Sequence, residues 1–186
     1  MRAGAGVLVA ALLTGCATNA PAPVTVASPL SADVVPAALP DAKLTLQLDT
    51  TKDVQQAVSS VGQQLLTSDV KFWQIHAGER LVGALQLSTL KSRVDPSRSA
   101  DRNNILSQIL VGPSEQIHVQ GLPVWTTPTS DASPRAIYIW FGKHDFGILQ
   151  LQSRDVDVTK VAESLITHVA TQPAWQALPP PAYGES

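Results

Sequence analysis

The chain has 186 residues, 44% of them apolar and 15% charged, with a formal net charge of −2 and a single cysteine. The apolar fraction supports one globular domain rather than a disordered chain. The balance of charge leaves no electrostatic footprint for nucleic acid, and one cysteine excludes a disulfide framework, so the fold must rest on its apolar core.

In chain order, Arg2 precedes an apolar stretch from Val7 to Leu13. It is too short to span a bilayer, which takes ~20 apolar residues, and it has the form of a secretory signal. The stretch ends in Leu13-Thr14-Gly15-Cys16, which resembles the lipobox of bacterial lipoproteins. The resemblance covers only residues 1–16. It implies cleavage after Gly15, a diacylglyceryl group on the Cys16 sulfur with palmitate-type acylation, and a lipid-anchored position in the cell envelope outside the cytoplasm. Residues 1–15 are then the signal peptide, and loss of Arg2 makes the mature chain one charge more negative. One acyl chain binds a membrane weakly (~10⁴ M⁻¹), and two or more hold it stably. Residues 16–42, rich in Ala and Pro, read as an acylated tether, unless part of them packs on the domain as an irregular strand.

The domain is expected over 43–176, followed by a disordered tail at 177–186. Leu44, Leu46 and Leu48 alternate with Thr45 and Gln47 as in a half-buried strand. Thr50, with Asp53 three residues on, can cap a helix carrying Val54, Ala57, Val58, Val61 and Leu65 on one face. Strands follow from Phe72 to Ala77 and from Leu81 to Leu90, joined at Gly78-Glu79. A second helix is expected from Ala100 to Leu110, with Ser99 as its cap and Gly112-Pro113 as its stop. Gln116 to Gln120 can pair with Val124-Trp125 across Gly121. After a polar loop through Thr129 and Ser133, Ile137 to Phe141 and Ile148 to Gln152 form another hairpin. A last helix uses Val161, Ala162, Leu165, Ile166 and Val169, with Asp157 as cap, and Trp175 pins its end.

Two stretches repeat without a gap. Gly78 to Leu87 and Gly142 to Leu151 both read G-x-x-x-x-G-x-L-Q-L. Each sits in a hairpin followed by an amphipathic helix, which suggests two ββα units from an old duplication, or two hairpins that share turn and core chemistry by chance. Neither glycine run is a phosphate loop, because no Gly-Lys-Ser/Thr follows.

These patterns predict an α+β fold: an antiparallel sheet of five to six strands with helices packed on one face. Placing the aliphatic set of each strand inward leaves Thr45, Gln47, Gln74, His76, Gln86, Ser88, Gln116, His118, Gln120, Tyr138, Trp140, Gln150 and Gln152 on an open face. This face has no Lys, Arg, Asp or Glu in mid-strand, and its amides and amphipathic rings suit a covered surface. Trp140 and Tyr138, with Gln150, Gln86, His76 and His118, are the candidate binding residues. The bland alternative is a neutral solvated face.

Catalytic signatures are missing. No G-x-S-x-G elbow is present, an acylated Cys16 leaves no thiol nucleophile, and the four histidines lack metal-ligand spacing. His76 and His118 could converge on the open face, but two imidazoles without a carboxylate make a weak metal site. His144-Asp145 falls in an expected turn, where Asp bonds its own backbone. Lys91, Arg93, Arg98 and Arg102 read as a solvated loop and helix start, or as contacts to lipid headgroups. The final hairpin and helix, with Trp140 and Gly142, are faintly similar to domains of bacterial envelope sensors and envelope lipoproteins, a similarity that transfers no residue roles. The expected function is a lipid-anchored, non-enzymatic envelope binding or accessory protein without cofactor or metal. Its partners would be the membrane, through its lipid, and an envelope protein or glycan. The alternatives are a cell-wall hydrolase or transferase without a recognisable motif, and a sensor domain for a membrane partner.

Overall fold

The computed structural model describes residues 31–51, 67–110, 112–127, 134–152, 154, 156–175 and 178. The expected leader and the expected tether up to residue 30, the expected helix carrying Val54 to Leu65, the loop through Thr129 and Ser133, and most of the expected tail lie outside them.

The described strands form one antiparallel sheet: β1 (Ala38–Leu39), β2 (Leu44–Leu48), β3 (Thr67–Ala77), β4 (Arg80–Leu90), β5 (Glu115–Val119), β6 (Leu122–Thr126), β7 (Arg135–Phe141) and β8 (Asp145–Gln152). Their order is β1-β2-β3-β4-β8-β7-β6-β5, eight strands rather than five to six. Two helices are described, α1 (Ser99–Ile109) and α2 (Val158–Ala170). The extra strands come from segments that carry weak strand signals. β1 is two residues inside the Pro-rich stretch read as tether, and β6, which contains Pro123, extends the expected Val124-Trp125 pairing to a five-residue strand. That stretch belongs to the domain from Ala32 on: Val34, Val35 and Leu39 are buried in the same core as Leu44 and Leu46.

Local chemistry sets the hairpins. Gln120 and Gly121 both have positive φ, 52° and 81°, the conformation of a two-residue turn whose twist matches its flanking strands. Asp157 caps α2 as expected, accepting the backbone N–H of Lys160 at 3.1 Å. Ser99 does not cap α1. The cap position is Arg98, which makes no side-chain cap bond, so Ser99 is already the first helical residue.

The two repeated stretches are partners in the sheet. β4 pairs β8 with Gly83 opposite Leu151, Leu85 opposite Leu149 and Leu87 opposite Gly147. Leu85 therefore faces its own repeat equivalent, Leu149, and the pairs on either side of it exchange places about a local twofold axis between the two.

The helices do not follow this symmetry, and the expectation of helices on one face is corrected. α2 buries Val161, Ala162, Leu165, Ile166 and Val169 with Leu85, Leu149, Leu151, Tyr138 and Trp140. α1 buries Ile105 and Leu106 with Leu90, Ile139, Phe141, Phe146 and Ile148. Ile139 and Trp140 are adjacent in β7, and Ile148 and Leu149 are adjacent in β8, so alternation puts the two clusters on opposite faces. The sheet is covered on both sides around Ile139 to Phe141 of β7 and Phe146 to Ile148 of β8. It keeps a polar face over β2, β3, β4 and the Gln150 end of β8. Among the described residues, no helix is long and apolar enough to cross a membrane.

Candidate functional site: a glutamine trough on the sheet

Alternation in β3, β4 and β8 sends Trp73, Leu85 and Leu149 to the α2 side and Gln74, Gln86 and Gln150 to the other. The register then aligns them. Gln47 pairs with Gln74, Gln74 with Ala84, and Ala84 with Gln150, one row across four strands. Strands lie about 4.8 Å apart, so Gln74 and Gln150 stand about 10 Å from each other across Ala84. Gln86 is the next residue of β4 on the same face, beside Phe72 of β3. The small Ala84 side chain floors a shallow trough with amides on three sides. Ala84, Gln74, Gln86 and Gln150 are half-buried, and Gln47 is exposed.

Hydrogen bonds orient part of this wall. Gln74 Nε2 donates to Asp49 Oδ2 at 2.6 Å, which leaves its Oε1 to meet His76 Nε2 at 3.1 Å. The acceptor role of that oxygen requires the proton on His76 Nε2, so Nδ1 is the lone-pair nitrogen when the ring is neutral. The Thr51 backbone N–H, then the Thr51 side chain and the Gln74 amide, hold the Asp49 carboxyl below the usual carboxylate range. Gln86 Nε2 donates to Ser88 Oγ at 2.9 Å and keeps its own oxygen as an acceptor.

Of the residues singled out from sequence, Gln86, Gln150 and His76 share this face. His118 is on it too, but β5 is five strands from β3 in the sheet order, a separation of roughly 24 Å. His76 and His118 therefore do not converge. Among the described residues, no group of three or more His, Cys, Asp or Glu side chains could hold a metal ion.

Tyr138 and Trp140 are not part of the trough. They lie on the α2 side and are buried, Trp140 completely. The aliphatic residues of β7 misled the assignment, because Ile137 and Ile139 face α1 rather than α2. The determinant is across the strand pair: Trp140 is opposite Gly147, and a Cβ on Gly147 would collide with the indole. The ring fills the space that this missing side chain leaves. It also packs against Trp175, with centroids 6.1 Å apart, so Trp175 pins the end of α2 as expected. Tyr138 shares a hydrogen bond with Thr159 of α2, and burial pushes its phenol pKa up.

One polar group was misread from sequence. Asp145 is the first residue of β8, and its side chain crosses to β4, where Thr89 Oγ1 donates to it at 2.8 Å. Burial pushes this carboxyl up, the Thr89 bond and the charges of His144 and Lys71 pull it back, and Asp69 adds to the rise. Asp69 and Asp145 flank Thr89 in one cross-strand row. The available signal was the Ser88-Thr89 pair closing a strand otherwise rich in Leu. Two residues of the basic stretch have structural partners: Arg102 donates to the Pro96 carbonyl at 2.9 Å and lies 5.4 Å from the centre of the Trp125 ring, while Arg98 pairs with Asp101.

No protein-family model, no curated protein and no solved structure matches this chain.

Proposed function

We propose that the chain is a lipid-anchored protein of the cell envelope that binds a neutral, hydrogen-bonding partner, without catalysing a reaction on it. The Leu13-Thr14-Gly15-Cys16 run supports the anchor. The observation that carries the binding reading is the trough: Gln74, Gln86 and Gln150 around Ala84 on a face without formal charge at its centre. Each amide offers donors and an acceptor, which suits the hydroxyls and amides of a glycan or the polar side chains of a protein. The β4–β8 register likewise supports a common origin of the two ββ hairpins, joined along their second strands, while the helices that follow them part to opposite faces.

The test uses the full chain with Gln74→Ala and Gln150→Ala together. Binding is measured to whole envelope and to envelope stripped of protein, so that protein and glycan partners separate. The expected result is a loss of about tenfold or more in affinity with an unchanged circular dichroism spectrum. Undiminished binding to both materials would overturn the reading. Cys16→Ser separately tests the anchor, and should move the protein out of the membrane fraction.

A further inference from the structure

The two edges of the sheet are built differently. At one edge β1 is only two residues, between Pro36 and Pro40. Short strands and prolines are devices that stop a sheet from growing. At the other edge β5 is five residues, Glu115-Gln116-Ile117-His118-Val119. It carries no Pro, no Lys and no bulge, and among the described residues no strand lies beyond it.

The hydrogen-bond phase of β5 follows from its turn. A two-residue turn with positive φ at Gln120 and Gly121 makes the closing pair, Val119 and Leu122, a hydrogen-bonded pair. Bonded pairs alternate in an antiparallel ladder, so Ile117 and Glu115 also bond β6. The next ladder agrees, since Thr127 N–H donates to the Ile137 carbonyl and so turns the alternate residues of β6 toward β7. The backbone N–H and C=O groups of Gln116 and His118 therefore point away from the sheet, and both residues are exposed.

We propose that this edge pairs with the β5 edge of a second copy of the chain, antiparallel about a twofold axis at Ile117. Gln116 of each copy then faces His118 of the other, and each such pair exchanges two backbone hydrogen bonds. Ile117, half-buried in one chain, meets its own copy across the axis. Glu115, the one formally charged residue of the strand, falls opposite Val119, so no like charges are opposed. The contact uses one patch twice and closes on itself, while the blunted β1 edges end the sixteen-stranded sheet. The chain already joins its own halves in this way, through β4 and β8. The inference is independent of the trough.

The test is analytical ultracentrifugation of the full-length Cys16→Ser chain, with His118→Pro as the variant. Proline there removes an outward N–H and leaves the bonds to β6 in place. The Cys16→Ser chain should dimerise at about 100 μM, and His118→Pro should weaken the dimer by about tenfold or more with an unchanged circular dichroism spectrum. A second variant, Ile117→Cys in the Cys16→Ser background, should form a disulfide-linked dimer on mild oxidation. A monomer at that concentration overturns the proposal, as does an Ile117→Cys chain that dimerises yet forms no disulfide between its two copies.

Discussion

Asp145 shows how one side chain carries both a structural bond and a penalty. It accepts a hydrogen bond from Thr89, yet burial holds its folded-state pKa above the ordinary carboxylate value. In the unfolded chain it ionises at about 3.9. The folded state therefore keeps its proton to higher pH than the unfolded state does. Stability contributed by this residue is full below the unfolded pKa, falls as pH rises through the folded pKa, and is level beyond it. Asparagine retains an oxygen for Thr89 and carries no charge. Asp145→Asn should therefore match or exceed the wild-type melting temperature at about pH 7, and its advantage should shrink below about pH 4. Thermal melts at the two pH values decide this. A variant equally destabilised at both would mean that the fold requires the carboxylate itself.

At the scale of elements, the two helices start differently. α2 has its Asp157 cap, and α1 has Arg98 at its cap position without a side-chain bond. Asp157→Ala should cost about 1 kcal/mol, the usual loss for a cap, while Ser99→Ala should be close to neutral. Urea titration of both variants measures the contrast. The hairpins were legible because turn residues and alternation agree, as at Gln120-Gly121 and in Leu44 to Leu48. The face of β7 was not. Ala136, Ile137, Tyr138, Ile139, Trp140 and Phe141 are apolar on both sides, and a strand clamped between two layers has no period of two to read. The trough was legible where one face stays polar, in Gln74, Gln86 and Gln150. β1 was hidden because its two paired residues sit among prolines that signal a linker.

For the whole molecule, the join between the halves is the β4–β8 seam, and Leu85 and Leu149 meet at its centre, both fully buried. Leu85→Ala and Leu149→Ala should each cost about 2–5 kcal/mol. Because the two side chains share one site, the double variant should depart from the sum by about 0.5–3 kcal/mol. Strict additivity would place them in independent parts of the core. The repeat was visible in sequence, but not that its copies pair with each other or that their helices part to opposite faces. The first depends on pairs such as Leu85 with Leu149, 64 residues apart, and the second on helix–sheet packing between separate segments, both beyond the reach of local patterns.

The way the chain enters the sheet has a mechanical consequence. Residues 31–42 dock through Val34, Val35 and Leu39, and β1 holds β2 by only two residue pairs, Ala38 with Thr45 and Leu39 with Leu44. Tension arriving from ahead of Ser31 meets the packing of Val34 and Val35 first and then peels that short ladder in succession, before the longer ladders of β3, β4 and β8 give way. Release of the docked segment would pay out about 40 Å of chain. The opposite rim, at β5, lies about 33 Å away across the sheet, so loss of β1 leaves its edge in place.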